Sequence, residues 1–239
     1  MILSISQPAY LPWLGYFDRI AASDAHIVLD HVQFEKNSYV NRNKIRTKKG
    51  WSWLTVPVET SGQFGRLAIN KLRIAPDPRW ARKHWQAIEQ SYARAPHFNE
   101  HRLTLADIYQ RRWECLIDLI DALTSYLLDA FAITVPLVRS SSISTDKTKS
   151  ALVLDLCRKL GARTYLSGPL GRDYLDEASF AEAGIDIVYQ NYRHPIYEQA
   201  HPGFESHMAA IDLLFMQGAG AGQTLRTTEA LPITASARS

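Results

Sequence analysis

A chain of 239 residues, 46% of them hydrophobic, can bury a core of its own, as one domain or as one with an added lobe. Its net charge of +3 is small, and its densest basic stretch, residues 44–49, is too short for a nucleic-acid-binding stripe and reads as a solvated turn. Two cysteines in helical patterns (Cys115, Cys157), no apolar run of about 18 residues, and a start on a short strand without a basic leader together predict a reduced, cytoplasmic protein with no membrane span.

The first forty-odd residues read as strand, loop, helix, strand, loop. Residues 1–5 form the first strand, 17–22 a short helix and 25–30 the second strand. Such a unit predicts a parallel pair with functional groups at the carboxyl ends of both strands. Residues 51–58 alternate as a strand, with 67–74 as its hairpin partner across Gly62 and Gly65. Ala81, Trp85, Ile88 and Tyr92 make one helical stripe that Pro96 ends, and Tyr109, Trp113, Leu116, Ile120, Leu123 and Leu127 make a second. Residues 137–139 suggest a short strand. A helix capped by Asp146 or Thr148 then runs to Lys159, with Gly161 as its stop. Strand 164–167, helix 174–183, strand 185–190 and helix 211–215 complete an α/β fold with a mainly parallel sheet flanked by helices. The expected organisation is a single α/β domain over residues 1–218, with a lateral helical lobe inserted around 79–131 and a flexible tail over 219–239.

Candidate site residues sit at the strand ends. Gln7 and Tyr10 lie on a loop stiffened by Pro8 and Pro12, where they bind substrate or, for Tyr10, plug the sheet. Asp30 follows an apolar strand, as a catalytic carboxylate or as a turn cap, with Gln33 beside it. Asn41, Arg42 and Asn43 pack many donors into three residues, for substrate or for an internal network. His84 edges an apolar helix face, where it is a base or a satisfied core histidine. His194 lies just past a strand end, with its direction set by Pro195 and Tyr197 nearby, and is the leading candidate for a catalytic base. Gly168 and Tyr174 belong to a strand-to-helix turn open to an anion, although its glycine spacing is not a dinucleotide fingerprint, so no cofactor is expected. The histidines are too scattered for a metal site. The opening layout invites comparison with nucleotidyltransferases and class I synthetases, but Trp13, Gly15 and Tyr16 stand where those enzymes carry phosphate-contacting histidines.

Several strings carry a resemblance: Gln7-Pro8-x-Tyr10-Leu11-Pro12-Trp13-x-Gly15-Tyr16-Phe17, Leu29-Asp30-x-Val32-Gln33-Phe34, Asn41-Arg42-Asn43, Trp53-Leu54-x-Val56-Pro57-Val58, Tyr165-Leu166-Ser167-Gly168 and His194-Pro195-x-Tyr197-x-Gln199. Over residues 2–218 the chain resembles the WbqC-like family, departing from it at His31 and over 205–210. The resemblance implies a bacterial biosynthetic protein of surface-polysaccharide clusters, associated with glycine transfer. The expectation is an acyl or aminoacyl transferase, glycyl transfer included, that forms an amide on an amino sugar or small amine. Its donor would be an acyl carrier protein thioester or an aminoacyl-tRNA. A cyclase or dehydratase acting on a carrier-bound or amine-containing intermediate, and a non-catalytic binding or assembly protein, are the alternatives.

Overall fold

The computed structural model describes residues 1–60, 62, 65 and 67–226. Five parallel strands form the central sheet: β1 (Ile2–Ser6), β2 (Ala25–Val28), β5 (Leu137–Arg139), β6 (Thr164–Ser167) and β7 (Asp186–Tyr189), in the order β5-β2-β1-β6-β7. The strands are short and apolar. Leu3, Ile5, Ala25, Ile27 and Tyr165 point to one face, where α5 (Lys149–Lys159) and α6 (Glu177–Glu182) cover them with Leu152, Leu156 and Phe180. The opposite face, beneath α1 (Leu14–Ala21), carries a polar cluster. His26 bonds Ser4 Oγ through Nδ1 (2.7 Å) and Ser6 Oγ through Nε2 (2.9 Å), and Tyr16 of α1 packs edge-on to the His26 ring. Helices on both faces of a parallel sheet make this an α/β fold.

The helical segment consists of three helices rather than two: α2 (Arg79–Tyr92), α3 (Phe98–Gln110) and α4 (Leu116–Ala130). The expected continuous stripe from Tyr109 to Leu127 breaks at 111–115. There the backbone pairs with residues 72–74, through Ile74 N–H to Glu114 O (2.8 Å) and Leu116 N–H to Leu72 O (2.9 Å). Tertiary hydrogen bonding overrides helical periodicity at that point. The three helices share one core with α1 and α7 (Ile211–Gln217), through Phe17, Phe131, Phe98 and Phe215.

Two other expectations change. Of residues 44–49, expected as a solvated turn, 48 and 49 are an exposed turn, but 44–47 belong to strand β3 (Arg42–Thr47), which pairs antiparallel with β4 (Gly50–Thr55). The hairpin turns at Lys48 and Lys49, and Gly50, which opens β4, has a φ of +106° that favours glycine. Residues 67–74 therefore do not partner β4; they hold a 3₁₀ turn (Ile69–Lys71) and meet Val58 in a single bridge at Ile74. The chain also stays docked past 218. Helix α8 (Ala221–Thr224) buries Ala221, and Leu225 follows it into the core. A Cβ on Gly222 would overlap the Phe131 carbonyl, so only glycine allows that approach. The rest of the expected tail, 227–239, lies outside the described residues.

Candidate functional site at the strand-order reversal

From β1 the chain lays β2 and then β5 on one side, before crossing to β6 and β7 on the other. In open parallel sheets, ligands bind outside the carboxyl ends of the strands at this reversal. A cleft of about 720 Å³ occupies that place. Its walls are Gln7 and Pro8 after β1, Gly168 and Tyr174 after β6, Asn191 and Tyr192 after β7, Tyr16 and Arg19 of α1, and Tyr39 and His207 at the mouth.

The loop after β1 is held from several sides. Tyr10 N–H bonds Tyr39 O (3.0 Å), Asn43 Nδ2 bonds Leu11 O (2.5 Å), and Ala210 N–H bonds Pro12 O (2.8 Å). Leu11 sits at φ +45°, a left-handed conformation that these bonds sustain. Gln190 ties α1 to the end of β7, donating through Nε2 to Gly15 O (3.0 Å) and Asp18 Oδ2 (2.7 Å). Gly15 leaves room for the Tyr192 ring, which a Cβ there would meet at 2.8 Å.

Arg19 is the chemical centre of the cleft. It is 9% exposed, and its Nε is buried without a hydrogen-bond partner. No carboxylate among the described residues forms an ion pair with it. Burial lowers its pKa, against the pull of Tyr165, Tyr16, Tyr174 and Asp18. Gly168 packs against the guanidinium, and a Cβ at 168 would overlap Nη1. Tyr192 adds a second buried group without a partner, its Oη. A buried guanidinium with an unsatisfied N–H is costly, and a ligand carboxylate or phosphate would relieve that cost with forked hydrogen bonds.

His207 brings an imidazole to the same cleft. Its backbone is left-handed (φ +60°), and its N–H donates to Nε2 of His194 (3.0 Å). Burial and then nearby Lys44 lower the His207 pKa, favouring the neutral ring.

Of the residues expected from the sequence, Gln7, Gly168 and Tyr174 line this cleft. The others do not. His194 stands behind His207, packed among Tyr192, Tyr197 and Phe204, with Nε2 occupied by the His207 N–H. Asp30 is fully buried and accepts from Ser140 Oγ (3.0 Å), Ser141 N–H (2.8 Å) and Ser141 Oγ (2.7 Å). Burial pushes its pKa up, but these serine bonds outweigh it and hold the carboxyl low. The residue clasps the end of β2 to the turn after β5. His84 is a core histidine, bonded through Nδ1 to Tyr10 Oη (2.8 Å), which also meets Tyr109 Oη (2.5 Å). Burial lowers its pKa to about 4. Gln33 bonds Phe34 O, Asn41 bonds Val56 O, and Arg42 bonds Asn37 while covering the Trp53 ring at 4.4 Å. Tyr197 donates to Asp212 Oδ2 (2.8 Å) inside a buried network with Tyr92, Gln199 and Arg46. Cys157 is in the core, its thiol pushed up to about 12 by burial. Among the described residues, no three His, Cys, Asp or Glu side chains cluster as metal ligands, and no helix is long and apolar enough to cross a membrane.

Sequence reasoning missed Arg19, Tyr192 and His207. One signal was available: Asp18-Arg19 is a charged pair inside an otherwise apolar eight-residue helix, a pattern that puts at least one charge on a buried face. Nothing local marks Tyr192 or His207, which reach the cleft through a long irregular segment.

The profile of the WbqC-like protein family matches residues 7–224. A Mycobacterium tuberculosis (strain ATCC 25618 / H37Rv) protein named "Uncharacterized protein Rv1507c" is 37% identical over 232 residues, covering 94% of this chain and 97% of that protein. No solved structure matches. A family match over most of the chain, together with a relative similar along nearly its whole length, places the chain in the WbqC-like protein family.

Proposed function

We propose that the chain is a cytoplasmic amide-forming transferase that moves an acyl or aminoacyl group, glycyl among them, onto an amino sugar or other small amine in the cleft between β1 and β6. The observation that carries this reading is the buried Arg19 at the strand-order reversal, whose Nε has no hydrogen-bond partner and which suits an anionic substrate group. Arg19 anchors a carboxylate or phosphate of the substrate. The amine nitrogen attacks the acyl carbon, and the new C–N bond replaces the bond to the leaving thiol or ribose oxygen. His207 takes the proton from the attacking amine and returns it to the leaving group. Gln7 and Tyr192 Oη supply hydrogen bonds to the substrate or the developing oxyanion. The donor is a thioester on an acyl carrier protein or an aminoacyl-tRNA.

The test is mass spectrometry of products made by wild type, Arg19→Gln and His207→Gln from donor and amine, with folding checked by circular dichroism. Amide from wild type and a loss of about 100-fold in either folded variant is expected. Donor consumed without amide means a cyclase or dehydratase. Identical profiles with and without the protein mean a binding or assembly protein.

A further inference from the structure

The outer face of the β3–β4 hairpin carries a row of aromatic rings that leads to the cleft. Trp51 and Trp53 lie edge to face at 5.8 Å; Tyr39 follows Trp53 at 5.9 Å, Trp13 follows Tyr39 at 5.2 Å, and Tyr16 follows Trp13 at 5.9 Å. Trp51 and Tyr39 are 44% and 40% exposed, an unusual outlay of large rings on a surface. Trp13, Tyr39 and Tyr16 line the cleft itself, so the row ends beside Arg19. Cations are interleaved with the rings. The Arg42 guanidinium sits 4.4 Å over Trp53, and Lys44 Nζ sits 5.0 Å over Trp51. Lys48 and Lys49 are exposed at the hairpin turn.

Charge separates this face from the rest of the molecule. Residues 36–58 hold six lysines and arginines and no carboxylate, although the whole chain is only +3. The remainder is therefore net negative, and the hairpin is the positive pole. One of the six, Arg46, is spent internally on Gln199 and on the carbonyls of Thr47, Gly50 and Pro202. Arg42, Lys44, Lys48 and Lys49 remain on the hairpin with the rings.

From this juxtaposition we propose that the hairpin face and its aromatic row bind the single-stranded end of an RNA and lead it into the cleft. Bases stack on exposed rings while phosphates meet the interleaved cations, a pairing suited to a flexible polyanion with planar groups. An acidic carrier protein would use the cations alone and would leave the row of rings, and its continuation into the cleft, without a task. The role of this face as the donor's handle rests on the transferase reading above, and there it selects an RNA-borne acyl group. RNA binding itself does not depend on that reading.

The test is fluorescence anisotropy of a fluorescein-labelled short single-stranded RNA against the full chain, over a salt series. Binding that weakens steeply with salt is expected, with double-stranded RNA of the same sequence bound more weakly. Trp51→Ala should weaken binding by about tenfold or more, since base stacking on an exposed ring contributes roughly 1–3 kcal/mol. Lys48→Gln with Lys49→Gln should lower the salt slope by about one for each phosphate no longer neutralised. No binding at low salt, or equal binding by wild type and Trp51→Ala, overturns the proposal. So does an acyl carrier protein that docks on this face while RNA does not. Absence of RNA binding with Arg19-dependent amide formation intact removes the RNA and leaves the transferase; RNA binding without amide formation does the reverse.

Discussion

Arg19 and Gly168 make one functional unit: the glycine is small so that the guanidinium can lie against it. Gly168 has an ordinary extended backbone (φ −68°, ψ 165°), so alanine is tolerated conformationally and only the overlap with Nη1 matters. Gly168→Ala is expected to weaken inorganic phosphate binding by about tenfold, read by calorimetry, with little change in the urea midpoint. Arg19→Met tests the same unit from the other side. Removing a buried guanidinium whose Nε is unsatisfied should raise unfolding stability by about 0.5–2 kcal/mol while abolishing anion binding. A variant that loses stability instead would mean that Arg19 supports the fold rather than a ligand. His194 holds His207 in place by accepting its backbone N–H, and on the transferase reading it positions that ring. His194→Phe should therefore lower turnover and shift the pH profile, whereas a residue used only for packing would leave that profile unmoved.

At the scale of elements, polar clasps hold the strand-end loops in place. The most buried one joins α2, the hairpin and α7: Tyr92 Oη accepts Arg46 N–H (2.9 Å) and donates to Asp212 Oδ1 (2.8 Å), while Tyr197 and Gln199 donate to Oδ2. This clasp fixes the segment that delivers His207 and the hairpin that bears the aromatic row. Tyr92→Phe strands a buried N–H and a carboxylate oxygen, which should cost about 1–3 kcal/mol in urea unfolding. Asp30 plays the same part between β2 and the 3₁₀ turn Ser140–Ser142, and it does not line the Arg19 cleft. A carboxylate at a strand end reads alike in sequence whether it faces a ligand or the next loop. Only the position of Ser140 and Ser141, some 110 residues away, separates the two.

For the molecule as a whole, two buried histidines link stability to acid. Burial holds His26 at about 3, helped by the nearby Arg19 charge, and His84 at about 4, both below the ordinary 6.5. Between those values and 6.5 the unfolded chain binds protons that the folded chain refuses. Their contribution is thus full above pH 6.5 and is lost as pH falls from 6.5 through about 4 and about 3, at roughly 1.4 kcal/mol per pH unit for each histidine. Urea unfolding at about pH 7 and about pH 5 should show this loss, and His84→Asn should make it shallower. A stability that rises on acidification over that window would contradict the neutral assignment.

The amino-acid sequence alone determined the class of fold. Short apolar runs separated by helical stripes dictate parallel strands with helices between them, because local periodicity and burial are written residue by residue. It also marked the loops after β1 and β6, where Gln7, Gly168 and Tyr174 meet, since prolines and glycines punctuate the chain locally. Tertiary structure decided everything that depends on which face a side chain is given. Strand order put the cleft between β1 and β6, and the helix phase turned Arg19 into it. Pairing of 113–116 with 72–74 broke an apparent helix. The hairpin of β3 with β4 turned residues 44–47 from part of a solvated turn into a strand of a cation-and-aromatic face, because cross-strand neighbours such as Lys44 and Trp53 are set by register rather than by sequence spacing.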